Sequence, residues 1–215
     1  MHFTSITFQV ALNVFLFGFA SCNAQTNSSQ VMRTFVGGGC EGCEAIFEYG
    51  DKLLSSKDTL PLYEIREPKL KITGNVFKKD GKTPAKDVIL YIYQTNRKGI
   101  YVTRGDEKGW ARRHGFIRGW VKTDSNGRYT FYTFRPAAYP DRGEPEHIHL
   151  TVKEPDRNEY YLDDYVFDDD PLLTSEKRRK LKNRGGSGIM KPLFDRETLS
   201  INRDIILGLN IPDYD

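Results

Sequence analysis

The chain has 215 residues, 38% of them hydrophobic and 13% aromatic, enough for one globular domain with a sizeable core plus an appendage. That composition excludes a disordered polypeptide. The formal net charge is +3, with lysines and arginines interspersed among aspartates and glutamates, so no nucleic-acid partner is expected.

The N-terminus differs from everything after it. Residues 8–20, "FQVALNVFLFGFA", form an apolar run of signal-peptide length that is too short for a membrane span, although "MHFTSIT" before it lacks the usual basic residues. The following "SCNAQ" permits two processing readings. In one, "FASC" is a lipoprotein box and a lipid on Cys22 is the protein's membrane attachment; in the other, cleavage precedes Gln25. Residues 1–22 are thus expected to be a signal peptide. The protein is expected to be exported: periplasmic, membrane-anchored as a lipoprotein, or secreted.

Residues 23–65 are expected to be a tether and a short extension around Cys40 and Cys43 in "GGGCEGCEA", with a helical turn or two in "EAIFEYGDKLLSS". With Cys22 lipidated or removed, the remaining cysteines are an even pair, and a short-loop disulfide is the first expectation. A zinc site would need two more soft ligands, and a thioredoxin-like redox pair would need a βαβ context; neither is in view.

From residue 66 onward the pattern is that of strands: 70–77, 87–94, 127–134, 147–153 and 203–211 are β-branched, aromatic and largely alternating. Turn signals such as "KKDGKTP", "TDSNG" and "RPAAYPDRG" separate them. Residues 66–215 are therefore expected to be all-β, a single-domain antiparallel β-sandwich with long loops at 95–120 and 155–200. Long loops on a rigid sandwich are where function sits. In the second of these loops, "SEKRRKLKNRGG" reads as a solvated loop or short helix. The preceding "DDYVFDDDPLL" lacks the glycine and distal glutamate of a calcium loop and reads as surface.

Two of the four histidines stand one residue apart in "PEHIHLTV". On a strand, His147, His149 and Thr151 project one way and Ile148, Leu150 and Val152 the other, so one face suits a core and the opposite face is either a solvated polar surface or a metal grip. Tyr91, Tyr93, Tyr129 and Tyr132 lie in strand patterns and read as packing; Tyr101 and Tyr139 follow turn residues and fall in loops. His114 in "GWARRHGF" reads as an exposed loop histidine, and Trp110 and Trp120 as core or pocket wall.

Four blocks in order, "NRKGIY", "RGWVKTDSNGRYTF", "RPAAYP" and "HIH", resemble the intradiol ring-cleavage dioxygenases, the catechol and protocatechuate group, over roughly residues 68–211. The resemblance implies a mononuclear, non-haem Fe(III) held by Tyr101, Tyr139, His147 and His149. Its implied substrates are O2 and a small aromatic diol, cleaved between the two hydroxyl-bearing carbons, and its members are often homo-oligomers. Tyr139 would be the ligand that a bound catechol displaces and would act as the internal base. Anionic oxygen donors suit ferric iron, unlike the two-histidine, one-carboxylate sites of ferrous enzymes.

One departure bears on catalysis. The family commonly carries an arginine three residues before the first histidine, where this chain has Glu144, with Glu146 also acidic. Arg142 is the expected substitute for that arginine's charge, and Arg135 is expected to serve its own turn. The rival reading is an exported β-sandwich binding or structural module without turnover, since "LKITGNVFKKDGKTPAKDVILYIYQ" would suit many surface-displayed sandwich domains.

Overall fold

The computed structural model describes residues 1–2 and 35–215; the apolar run at 8–20 and Cys22 lie outside the described residues. The chain divides at residue 33, and the unit Arg33–Asp215 is described below.

Its strands are β1 (Lys57–Thr59), β2 (Lys69–Phe77), β3 (Ile89–Gln94), β4 (Arg118–Lys122), β5 (Arg128–Phe134), β6 (His147–Lys153), β7 (Tyr160–Tyr161), β8 (Tyr165–Phe167), β9 (Ile189–Met190), β10 (Leu193–Asp195), β11 (Thr198–Asn202) and β12 (Ile205–Ile206). Two short helices, α1 (Ala111–His114) and α2 (Ser175–Lys180), and two 3-10 turns, Cys43–Phe47 and Tyr63–Ile65, complete the described elements. One sheet has the order β1-β5-β2-β11-β10, with β12 also on β2; the other has the order β4-β3-β6-β8-β9, with β7 also on β6.

The sandwich forms because its strands alternate. In β2 every second residue from Leu70 is buried, and in β6 Ile148, Leu150 and Val152 face the same core. Fully buried Leu70, Ile72, Val76, Leu90, Ile92 and Phe131 fill the space between the sheets. Each such apolar side chain contributes roughly 1.5–3 kcal/mol relative to leaving it exposed.

Three expectations change. The sandwich is mixed rather than antiparallel, because β1 runs parallel to β5, β11 and β12 run parallel to β2, and β9 runs parallel to β8. The strand expected at 203–211 is shortened to β12: "TLSIN" forms β11 upstream of it, and the chain breaks at Arg203, whose buried guanidinium donates to the carbonyls of Asp163, Arg184 and Gly186. Beyond it, β12 is confined to Ile205–Ile206, and Leu207 and Ile211 join the core outside any strand. The loop from 95 ends early, at β4, which pairs with β3 through Tyr91 and Trp120.

The second sheet is covered on both faces. On its outer face Tyr91 and Trp120 pack with Ala45 and Ile46 of the first 3-10 turn. Cys40 and Cys43 are joined by a disulfide at the start of that turn, the pairing expected from the sequence. β1 adds a strand of the 23–65 segment to the first sheet. Among the described residues, no helix is long and apolar enough to cross a membrane.

Candidate metal centre and its cleft

β6 places His147, His149 and Thr151 on the outer face of the second sheet, opposite the core-facing Ile148, Leu150 and Val152. Two loops bring tyrosines to the same place. Tyr101 follows the turn at 96–100, which closes when Asn96 N–H donates to the Ile100 carbonyl and the Asn96 side chain accepts from the Lys98 and Ile100 amides. Tyr139 follows Ala137, whose amide donates to the Asn96 carbonyl, while Thr95 Oγ1 donates to the Ala137 carbonyl. Gly99 makes this loop-on-loop contact feasible. It has φ +71°, and a Cβ there would stand 2.0 Å from the Ala138 carbonyl oxygen and 2.8 Å from Pro140.

The four side chains converge through their ligating atoms. Tyr101 Oη lies against Tyr139 Oη and 2.7 Å from His149 Nε2; Tyr139 Oη lies 3.1 Å from His147 Nε2 and 3.4 Å from His149 Nε2. The outer ring nitrogens are tied elsewhere, His147 Nδ1 to the Pro145 carbonyl at 2.7 Å and His149 Nδ1 to Asp164 Oδ1 at 3.2 Å. A carbonyl or an ionised carboxylate can only accept, so both Nδ1 atoms carry hydrogen. With a single proton on each ring, the Nε2 lone pairs face the tyrosine oxygens.

This donor set fits a hard, highly charged cation. Burial raises the pKa of both phenols; their mutual hydrogen bond raises Tyr101 further and offsets part of the rise at Tyr139. A phenolate at either position therefore needs a compensating positive charge. Burial lowers the pKa of His147, with the neighbouring His149 adding to the effect, which keeps the ring a neutral ligand. A ferrous-type triad is an alternative to weigh, because ligand atoms of His147, His149 and Asp164 lie within 4.8 Å of one another. Asp164 instead engages His149 Nδ1, an arrangement that orients a ligand from behind. Burial raises the Asp164 pKa, but the His149 and His147 rings and Arg203 more than offset it, and the net shift is downward.

Several residues of this neighbourhood were not legible as such. Asp164 belongs to the acidic stretch read as surface, yet it supports His149, and the same stretch contains the buried strand β8. Its clue was the aspartate pair just before the continuous apolar run Tyr165–Phe167. Tyr93 sits directly opposite His149 in the β3–β6 register and stacks on its ring at 4.4 Å. His114 is not an exposed loop histidine. It is 6% exposed, lies at the end of α1, stacks on Tyr93 at 3.8 Å and accepts or donates a hydrogen bond at Nδ1 with the Tyr91 hydroxyl at 2.9 Å. Trp110 and Gly42 of the disulfide turn close around the same ring. Burial lowers its pKa from 6.5 to about 4.

A cleft of about 590 Å3 opens onto the donors, and its lining includes Tyr139, His147, His149 and Asp164 together with Lys177, Lys180 and Lys182. The basic segment forms helix α2 over Ser175–Lys180 and continues without helix, and Lys177, Lys180 and Lys182 line this cleft. Glu144 also lines the cleft, with Lys177 Nζ 3.8 Å from its carboxylate. Glu146 is engaged by Arg135, which binds Asp169 in bidentate fashion and covers the Phe167 ring at 4.4 Å. Arg142 lies with its guanidinium carbon 5.5 Å from the Tyr139 ring centroid and lowers that phenol's pKa against the larger effect of burial.

Comparison with known proteins bears on the chemistry of this cluster. The family model described as Dioxygenase matches residues 54–183. The protocatechuate 3,4-dioxygenase β chain of Burkholderia cepacia is 32% identical over 108 residues, 47% of this chain and 46% of that one, so the chain matches about half the length of this curated relative. Among solved structures, the dioxygenase domain of a dioxygenase carbohydrate-binding protein fusion from Streptomyces sp. SirexAA-E has a TM-score of 0.57 at 23% identity, covering 81% of this chain and 97% of that one. Hydroxyquinol 1,2-dioxygenase from Pseudomonas putida DLL-E4 has a TM-score of 0.54 at 19% identity, covering 84% and 68%. At these identities the structural likeness speaks for the fold.

Proposed function

The chain belongs to the intradiol dioxygenase family, and from that premise we propose that it is a non-haem Fe(III) dioxygenase that opens catechol-type rings between the two hydroxyl-bearing carbons with O2. The observation that carries this reading is the convergence of two phenol oxygens and two imidazole Nε2 atoms, with both Nδ1 atoms held from behind. Tyr101, Tyr139, His147 and His149 would hold the ion. When bound, it would supply Lewis-acid activation and a template for the diol.

The chain's own residues divide the remaining work. His147 and His149 are fixed by the Pro145 carbonyl and by Asp164, so their rings hold position while substrate enters. Tyr139 sits on a loop and lines the cleft, and it is the donor free to swing out and accept a substrate hydroxyl proton at Oη. Arg142, beside that ring, offsets negative charge on the departing phenolate and on the bound diol, the task left by Glu144. Leu162, Val166, Leu173 and Leu181 give the cleft an apolar wall for an aromatic ring. Export, by signal peptide or lipid anchor at Cys22, is part of the same proposal and rests on the apolar run at 8–20.

The test is to load the full chain with ferric iron and record its visible spectrum and its O2 uptake with catechol. The expected results are a broad tyrosinate charge-transfer band, absent in Tyr101→Phe, and a muconate-type product. A colourless protein that takes up no iron would refute the reading and leave a sandwich binding module.

A further inference from the structure

The segment 36–48 runs onto the outer face of the second sheet, and its two ends are pinned independently of its middle. At one end the Val36 amide donates to Asn158 Oδ1, the Gly37 amide donates to the Pro212 carbonyl, and Arg184 donates to the Gly37 carbonyl. At the other, Ala45 and Ile46 are fully buried, the Trp120 indole donates to the Ala45 carbonyl, and Glu48 accepts from the Trp110 amide and from Arg118. Between these anchors the Cys40–Cys43 disulfide closes the turn that sets Gly42 against the His114 ring, where a Cβ would stand 2.9 Å from Nε2. His114 stacks on Tyr93 and Tyr93 stacks on His149, so the turn backs a column of rings that ends at a ligand of the proposed metal centre.

A second cavity, of about 270 Å3, lies between this turn and the centre. Its lining includes Cys40, Cys43, Tyr93 and Thr151, and it shares His149 and Asp164 with the larger cleft. Cys43 Sγ lies 3.9 Å from Thr151 Oγ1, two residues along β6 from His149 and on the same face. Apart from the disulfide, the hold on 38–41 among the described residues is slight. Gly38 and Gly39 are exposed, with no neighbour within 4 Å of where a Cβ would stand, and Glu41 pairs with Arg113 at the surface, a contact that contributes little. The two sulfurs differ in access, since Cys43 is 2% exposed and Cys40 is half-buried. An incoming thiolate therefore meets Cys40 Sγ, with Cys43 as the leaving group.

We propose that the Cys40–Cys43 disulfide is a reducible latch that regulates the metal centre. Closed, it holds the turn against the ring column behind His149; opened by a dithiol reductant, it lets the turn move away, and the metal is held less tightly. A thiolate of the dithiol attacks Cys40 Sγ, breaks the S–S bond and leaves Cys43 as a thiolate, which takes a proton. The second thiol of the reductant then displaces Cys40, so two protein thiols form as the dithiol is oxidised to its own disulfide. The pinned ends confine the change to the turn, a local opening rather than unfolding. In an oxidising compartment the latch is closed. The effect on iron rests on the ring-cleavage reading, whereas the opening of the turn does not.

Hydrogen–deuterium exchange on the metal-free full chain, oxidised and after dithiothreitol treatment, tests the latch. Reduction should speed exchange about tenfold across 38–44 and 110–114, leave β2 and β5 protected, and be reversed when diamide re-forms the disulfide. Iron affinity, from competition with nitrilotriacetate, should be about tenfold weaker in Cys40→Ser/Cys43→Ser than in the oxidised chain, the low end of what losing a group that orients a ligand costs. Exchange unchanged by reduction would overturn the proposal. So would faster exchange throughout β2 and β5, which would make the disulfide a staple of the whole fold, and so would equal iron affinity in the two chains. Local, reversible opening in a chain that takes up no iron in either form would uphold the latch and refute ring cleavage, so the two failures are distinguishable.

Discussion

His114 makes the stability of this protein depend on pH in a way that one substitution removes. Its ring is 6% exposed, stacked on Tyr93 and hydrogen-bonded to Tyr91, and burial holds its pKa at about 4 against an ordinary 6.5. Between those values the unfolded chain binds a proton that the folded chain refuses, so stability rises with pH through this window. The contribution is complete above pH 6.5 and is lost as pH falls toward 4. At pH 4.5 the unfolded histidine is almost fully protonated and the folded one about one quarter, which amounts to about 2.5 kcal/mol relative to neutral pH. His114→Phe keeps an aromatic ring in the stack, removes the titration and takes one hydrogen bond from the Tyr91 hydroxyl, which keeps Arg118, a loss of about 0.5–1.5 kcal/mol at pH 7.5. Urea unfolding of both proteins from pH 4.5 to 8 should therefore show curves that converge and cross in acid. Carboxylates with depressed pKa, such as Asp164 and Asp169, act equally in both proteins and cancel in the difference. Parallel curves would refute the argument, because they would mean that His114 protonates as freely in the fold as out of it.

Further perturbations separate the parts of the site. Gly99→Ala adds a Cβ at 2.0 Å from the Ala138 carbonyl, at a positive φ that already costs about 1–2 kcal/mol for a non-glycine residue. It should part the two tyrosine loops and lower both the melting temperature and iron affinity, and an unchanged melting temperature would contradict the loop-on-loop account. Asp164→Ala frees His149 Nδ1 and should weaken iron binding or turnover about 10–100-fold, measured by competition with a chelator. Arg135→Met strips Glu146 and Asp169 of a shared partner and should cost about 2–3 kcal/mol in urea unfolding while leaving the iron spectrum intact. Arg142→Ala should reduce catechol turnover strongly with iron still bound, and undiminished turnover would remove Arg142 from the chemistry.

The parts legible in advance were those with a local cause. Alternation along "HIHLTV" sends His147 and His149 to one face and Ile148 and Leu150 to the other, because a strand has a period of two whatever it packs against. Turn residues before Tyr101 and Tyr139 marked both as loop tyrosines, and the order of the four blocks pointed to the family. The close cysteine spacing likewise anticipated the disulfide.

What the tertiary structure decided depends on contacts between segments far apart in the chain. Whether β11 lies parallel or antiparallel to β2 is set by how the C-terminal segment returns across the sheet, and no residue within 198–202 encodes that direction. His114 looks like any loop histidine until Gly42, Trp110 and Tyr93 close around it, and Asp164 looks like one more surface acid until β8 brings it to His149. The lysines of α2 follow the same logic. Their charge is written in the sequence, but their place in the lining of a cleft shared with Tyr139 and His147 arises only in the fold, because electrostatic fields act through space and the chain records only order.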